Sequence, residues 1–309
     1  MQMEHFLSIA DFSADELNHI LDVSIQLKKE LKTGGNKPIL AGKTMAMIFQ
    51  KASLRTRVSF ELGMHQLGGY AFYLSPDEIG LGKREAVKDV AQVLGGMTDC
   101  IMARVFAHSH LLELARYAGI PVINGLSDYN HPCQGMADAL TIIEEFGQIK
   151  DVNVSFIGDG NNVAVSLMYI CAKLGANFTI ANPDGYDMPQ EAIRTAMDFA
   201  AVSGSHLSFY RDPAEAVQGA QVIYTDTWVS MGQEAETEKR LKIFQPYQVN
   251  TDLVAKAEKD CIVMHCLPSH RGQEITDEVQ DGEHSRVFPE AHNRLHAQKG
   301  VMACLLGGM

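Results

Sequence analysis

Four polar residues around one leucine, Ser53-Leu54-Arg55-Thr56-Arg57, follow the apolar run 45–49 and precede residues with helical spacing at Phe60, Met64 and Leu67. Ser53 suits an N-cap, which puts Arg55 and Arg57 in the first helical turn. Cations there oppose the positive end of the helix at ~0.3–1 kcal/mol each. An anion bound at that end relieves the arrangement, so the segment reads as a phosphate site. Two solvated arginines on a helix face are the commoner reason for a bare R-x-R.

Other candidates are weaker one by one. Arg104 closes the apolar run 100–103, where a charge either snorkels to solvent or points into a cleft. In HPCQ, 131–134, His131 could polarise a carbonyl while Gln134 accepts from an amide NH2; a lone loop histidine is more often structural. The turn IGDGNN, 157–162, opens like a dinucleotide fingerprint but has Val163 where the third glycine belongs. Its Asn161 and Asn162 suit an amino-acid carboxylate at a helix N-terminus, or simply cap that helix. DTWVSMG, 226–232, sets Asp226 as a partner for an ammonium group beside Ser230, Met231 and a glycine-ended loop that could act as a lid. HCLP, 265–268, places the Cys266 thiol at a strand end, although most cysteines are inert and buried. The histidine pairs 108/110 and 292/296 lack a third convergent ligand and no HExxH occurs, so no metal is expected.

These residues share one kind of position. Apolar runs that suit strands occur at 45–49, 71–74, 100–103, 122–123, 152–157, 178–181, 222–224 and 261–264, with helical spacing between them. The alternation predicts an α/β fold of two domains, each a mostly parallel sheet flanked by helices. Six of the polar segments directly follow a strand, and the carboxyl ends of parallel strands form the ligand crevice. The first domain is expected over 1–148 and the second over 149–288, because GMADALTIIEEFGQ reads as a helix ending near a glycine before a new βαβ series. Residues 289–309 read as a long C-terminal helix packing back on the first domain.

Bulk properties narrow the partners. A net charge of −12 with no Lys/Arg run longer than two argues against nucleic acid, while local arginines can still hold a small anion. Six scattered cysteines without C-x-x-C spacing suggest a reducing cytoplasm, and no apolar stretch of membrane-spanning length or leader pattern is read.

Taken in order, S-x-R-T-R, HPxQ, DxWxSMG and HCLP resemble the carbamoyltransferase family, and the last two match its ornithine-specific branch. The resemblance runs from FLSIADFSADEL to VFPEAHNR. It implies a carbamoyl-phosphate domain followed by an ornithine domain, no cofactor, and a homotrimer with active sites near subunit interfaces. By the same resemblance Ser53, Leu54, Arg55, Thr56 and Arg57 form the phosphate loop, and Arg104, His131 and Gln134 hold the carbamoyl end. Asn162, Asp226, Ser230 and Met231 match the ornithine site, and Cys266, Leu267 and Arg294 complete the pocket. The implied catalytic residues are Arg104, His131, Asp226 and Cys266. One departure stands out: Gly80 occupies the position from which some members reach a neighbouring subunit's site with a polar side chain, and Lys83 or Arg84 could substitute. Rival readings are transfer to putrescine or N-acetylornithine, a dinucleotide-binding dehydrogenase module, and a non-catalytic relative.

Overall fold

A computed structural model describes residues 3–229, 234–307 and 309. The chain divides into two compact units, Met1–Leu140 with His292–Met309, and Thr141–Ala291. The first contains α1 (Ala14–Lys32), β1 (Thr44–Phe49), α2 (Leu54–Gln66), β2 (Tyr70–Leu74), α3 (Pro76–Ile79), α4 (Val87–Gly95), β3 (Cys100–Arg104), α5 (His108–Ala118), β4 (Val122–Leu126) and the start of α6 (Pro132–Phe146). The second takes up the rest of α6, then β5 (Asn153–Ile157), α7 (Asn162–Leu174), β6 (Asn177–Ala181), α8 (Gln190–Ser203), β7 (Leu207–Tyr210), α9 (Pro213–Ala216), β8 (Val222–Thr225), α10 (Thr237–Phe244), α11 (Thr251–Val254), β9 (Ile262–His265), α12 (Asp277–Gln280) and the first residues of α13 (Val287–Leu306).

Both sheets are wholly parallel, in the orders β2-β1-β3-β4 and β7-β6-β5-β8-β9. Parallel strands need crossover helices that cover the sheet, so central strands read as continuous apolar runs. In β1, Met45 to Phe49 are all buried. The eight expected strands are present. The ninth, β7, escaped the sequence reading because its edge position leaves LSFY half exposed, without a strong apolar run.

Register decides what meets at the strand ends. Phe49 of β1 lies opposite Arg104 of β3. Ile157 of β5 lies opposite Thr225 of β8, which lies opposite His265 of β9. Each sheet reverses its winding beside its first strand, between β1 and β3 and between β5 and β8, where an open parallel sheet forms its ligand crevice.

The chain returns to the first unit within α13. A Cβ on Gly300 would stand 2.0 Å from Ser24 Oγ, so only glycine lets α13 lie this close to α1. Lys299, fully buried, donates to Asn36 at 2.7 Å and Gln66 at 3.0 Å.

Candidate active site

In the first unit, the turn after β1 delivers Ser53 in extended conformation, and its Oγ accepts from Thr56 N as the N-cap of α2. The cap stops the chain from continuing as strand and aims the first amides of α2 outward. Thr56 is fully buried. Its hydroxyl oxygen accepts from Arg104 Nη1 at 3.5 Å, Arg294 Nη2 at 3.3 Å and Ser53 Oγ at 3.2 Å. Arg104 comes from the end of β3, and Arg294 from α13.

The turn after β4 is tied by Asn124 Nδ2 donating to Asn130 at 2.5 Å and Ser127 N donating to the Asn130 carbonyl at 3.0 Å. That turn buries His131 just before α6. Burial, then the charges of Arg294, Arg104 and Arg55, hold its imidazole well below the ordinary histidine range. His131 is therefore neutral at pH 7 and carries one N–H. One turn further, Gln134 accepts from Arg294 Nη1 at 2.8 Å and donates to Asp138 Oδ1 at 2.9 Å. With its amide oxygen turned to Arg294, Gln298 accepts at 2.9 Å. Three arginines and a helix N-terminus make this a place where a small dianion is stabilised.

Arg57 sits apart from that group. Its guanidinium lies over the Tyr73 ring at 4.4 Å and pairs with Glu61 at 3.2 Å, on the exposed side of α2. Leu54 is 74% exposed, so what it offers a bound anion is its backbone amide. Gly80 ends α3 in the left-handed region at φ 58°, with Arg84 Cβ 2.8 Å from where a Cβ would be. A side chain there would be strained. Of the two nearby cations, Arg84 donates to the Glu78 carbonyl at 2.9 Å, and Lys83 is exposed.

In the second unit, Asn161 caps α7 by accepting from Val163 N at 2.9 Å and Ala164 N at 3.0 Å. This leaves Asn162 at the first helical position. The Asn161 amide donates to Asp226 Oδ2 at 2.7 Å, while Asp226 Oδ1 accepts from Thr227 N at 2.7 Å and from the Cys266 thiol at 3.0 Å. Asp226 and Cys266 are both buried. They meet because β8 and β9 are in register one residue earlier. Ser230 and Met231 lie outside the described residues.

Several supporting residues left no readable trace in the sequence. His265 Nδ1 accepts from Leu267 N at 2.9 Å, which puts the ring proton on Nε2, 3.1 Å from Glu274 Oε1. This bond holds Leu267 at φ 58°, a costly region for a leucine. Arg240 donates to the Trp228 carbonyl at 2.5 Å and pairs with Asp159. Burial pushes Asp159 up to about 6, although Arg240 favours its charged form. Asp138, Gln298, Arg240 and Glu274 are distant in sequence from the motif residues or separated from them by a helical turn. Asp138, four residues after Gln134, and Gln298, four residues after Arg294, had a local signal in their helical spacing.

Asp226, His265 and Cys266 also bring ligand-type atoms within 4.8 Å of one another, a grouping the sequence reading did not consider. Both ring nitrogens of His265 are already engaged, so the set suits hydrogen bonding better than metal coordination.

The carbamoyl-P binding domain model of the aspartate/ornithine carbamoyltransferases matches residues 4–144, and their Asp/Orn binding domain model matches residues 150–305. The chain belongs to this family. It is 52% identical to the ornithine carbamoyltransferase of Thermococcus kodakarensis over 98% of this chain and 96% of that one. The ornithine carbamoyltransferase structure from Pyrococcus furiosus superposes with a TM-score of 0.97 at 51% identity, covering 100% of this chain and 98% of that one. The anabolic ornithine carbamoyltransferase of Campylobacter jejuni gives 0.93 at 42% identity, covering 98% and 99%. Of the anion-stabilising group, Ser53, Arg55, Thr56, Arg104, His131 and Gln134 fall in the carbamoyl-P binding match, whereas Arg294 falls, with the Asp226 group, in the Asp/Orn binding match.

Proposed function

We propose that this family member transfers the carbamoyl group of carbamoyl phosphate to the side-chain amine of L-ornithine, giving L-citrulline and phosphate. The observation that carries the choice of acceptor is 52% identity, over nearly the whole chain, to a protein named for ornithine. Local chemistry agrees: Asp226 is an anionic partner for an ammonium group, and residues 226–229 offer no cation for a second carboxylate such as aspartate carries.

In this reading the α2 N-terminus with Ser53, Leu54, Arg55 and Thr56 receives the phosphate, and Arg57, engaged with Tyr73 and Glu61, adds its charge from outside that group. Thr56, Arg104 and His131 face the carbamoyl oxygen, Gln134 takes the carbamoyl NH2, and Arg294 buttresses Thr56 and Gln134. Asn162, Asp226, Ser230 and Met231 hold the ornithine backbone groups, with Cys266 and Leu267 beside its reacting end. Ornithine's side-chain amine has a pKa near lysine's, ~10.4, so it must lose a proton before it can attack. The Cys266 thiol donates to Asp226, and the pair orients the amine and takes up that proton. The amine then bonds to the carbamoyl carbon, the charge on the oxygen is met by the donors above, and as the C–O bond to phosphate breaks the remaining excess proton on the bonded nitrogen passes to the departing phosphate.

We place the enzyme in the cytoplasm, in arginine biosynthesis, as a homotrimer. Six free, buried cysteines fit a reducing compartment, and no helix among the described residues is long and apolar enough to cross a membrane. Leu54, Val58 and Leu62, exposed by 74, 42 and 43%, form a four-residue-spaced stripe on α2. Beside them β2 is an open sheet edge with Tyr70 exposed, a combination that suits burial by a second copy. A monomeric mass by light scattering would refute the trimer.

The deciding experiment supplies carbamoyl phosphate with ornithine, putrescine, N-acetylornithine or aspartate in parallel. Citrulline formation with ornithine alone is expected. Turnover of another amine would keep the phosphate half and overturn the acceptor.

A further inference from the structure

After Phe49 the main chain of β1 leaves its sheet for the turn that caps α2, just where β3 delivers Arg104 beside it. In a parallel pair each strand offers its neighbour evenly spaced donors and acceptors. Gln50 N still donates to the Arg104 carbonyl at 2.9 Å. The next bond of that ladder would run from Phe106 N to the Gln50 carbonyl. Instead Phe106 N donates to Oε1 of the Gln50 side chain, at 2.8 Å. The other half of the same amide, Nε2, donates to the Leu81 carbonyl at 3.1 Å and lies 3.3 Å from His110 Nδ1. A backbone N–H at one end and a backbone carbonyl at the other give the amide one orientation. The half-buried Gln50 thus carries the ladder past the point where its own backbone has turned away.

On its other side β3 meets β4 across a bulge: Ala103 lies opposite Asn124 but Arg104 opposite Leu126, leaving Gly125 unmatched. Val105 N donates to the Leu126 carbonyl at 2.9 Å and Asp128 N to the Phe106 carbonyl at 2.8 Å, so this side holds the strand end through an irregular edge and a loop. The regular guide for the backbone around Arg104 is β1 and the Gln50 amide. Arg104 needs one because its guanidinium, 3.5 Å from Thr56 Oγ1, ends a long side chain that a small backbone rotation would swing away.

We infer that Gln50 is a positioning residue for carbamoyl transfer: its amide holds the peptide after Arg104 against β1 and so aims the Arg104 guanidinium. The inference rests on the reading of Arg104 as a donor to the carbamoyl oxygen. Gln50→Met keeps the length of the side chain and removes both hydrogen-bonding groups. Phe106 is 49% exposed, so water can reach the freed N–H, and the bonds to Leu126 and Asp128 remain. The variant should therefore fold with Arg104 loosened rather than lost.

The test measures kcat/KM for carbamoyl phosphate at saturating ornithine, and the inhibition constant of inorganic phosphate, for Gln50→Met, Arg104→Ala and the double variant. Gln50→Met is expected to lower kcat/KM roughly tenfold, less than the ~10² that a full 1 Å misplacement can cost. The phosphate constant should stay within about twofold, because the α2 turn that receives phosphate is untouched. In the Arg104→Ala background Gln50→Met should cost no more than about twofold, since there is no guanidinium left to aim. A Gln50→Met loss that persists in full in that background would mean that Gln50 does not act through Arg104, and the inference would be wrong. Equal weakening of inorganic phosphate would assign Gln50 to the α2 turn instead, and unchanged kcat/KM in Gln50→Met alone would refute any positioning role. If Arg104→Ala itself leaves kcat/KM unchanged, the reading of Arg104 fails and the inference falls with it. Gln50→Asn, whose amide is one carbon too short to span the same partners, is read in the same way should the methionine variant not fold. Failure of both to fold would make Gln50 a residue of the fold alone and overturn the inference.

Discussion

His131 and Cys266 show how surroundings divide labour between two groups that titrate in isolation. Burial first, and then the charges of Arg294, Arg104 and Arg55, hold His131 well below the usual histidine range. Its proton load does not change above pH 6, so it can donate its N–H but cannot shape the pH profile there. Cys266 donates to Asp226, the group proposed to handle the ornithine proton. We expect His131→Ala to lower kcat by roughly 10²–10³, as loss of an oxyanion donor does, with the pH profile above pH 6 keeping its shape. Cys266→Ala should move that profile. If it leaves both kcat and the profile unchanged, the thiol has no part in proton handling. His131 and Cys266 could be picked out in the sequence by type and motif, but their neutral or donating states could not. Those depend on arginines and an aspartate brought in from other helices and strands.

At the scale of the element, α2 works through its first turn. Ser53 satisfies the Thr56 amide and, through its Oγ, the Thr56 hydroxyl that both Arg104 and Arg294 address. Ser53→Ala should therefore cost about 0.5–2 kcal/mol of stability by loss of the cap. It should also raise the inhibition constant of inorganic phosphate. A thermal denaturation series with phosphate titrations measures both, and lost stability with unchanged phosphate affinity would separate the cap from the anion site. The cap and the helix were legible beforehand because apolar spacing and an N-cap residue are local signals. The fate of Arg57 was not: the first-turn argument placed it beside Arg55, and only packing puts its guanidinium over Tyr73. β7 went unseen for a similar reason, since an edge strand lacks the two-sided burial that makes central strands conspicuous.

At the scale of the whole molecule, the return of α13 is anchored by a buried cation. Burial pulls the Lys299 ammonium down to about 8, against an ordinary 10.5, with Glu30 opposing the shift. Between those values the unfolded chain holds more protons than the folded one, so this group makes stability rise with pH from about 8 to 10.5. Below about 8 its cost is fully present. Lys299→Met should therefore stabilise at pH 7, on the order of 1 kcal/mol after the lost bonds to Asn36 and Gln66 are counted. The difference from the parent should shrink as pH rises through the window. Urea titrations at pH 7 and 10 measure it, and a gap that is constant or widens with pH would contradict the assignment.

Strand and helix alternation, the parallel class of the sheets and the motif residues at strand ends are properties of short stretches, and the sequence alone determined them. Burial on both faces needs continuous apolar runs, and a glycine or an N-cap acts within a few residues. Strand order and register were decided only in three dimensions, and with them the meeting of Arg104 with the α2 turn and of Cys266 with Asp226. The same holds for Arg294, Arg240 and Glu274. Each acts on residues whose sequence distance carries no periodic signal, because what brings them together is the packing of whole elements.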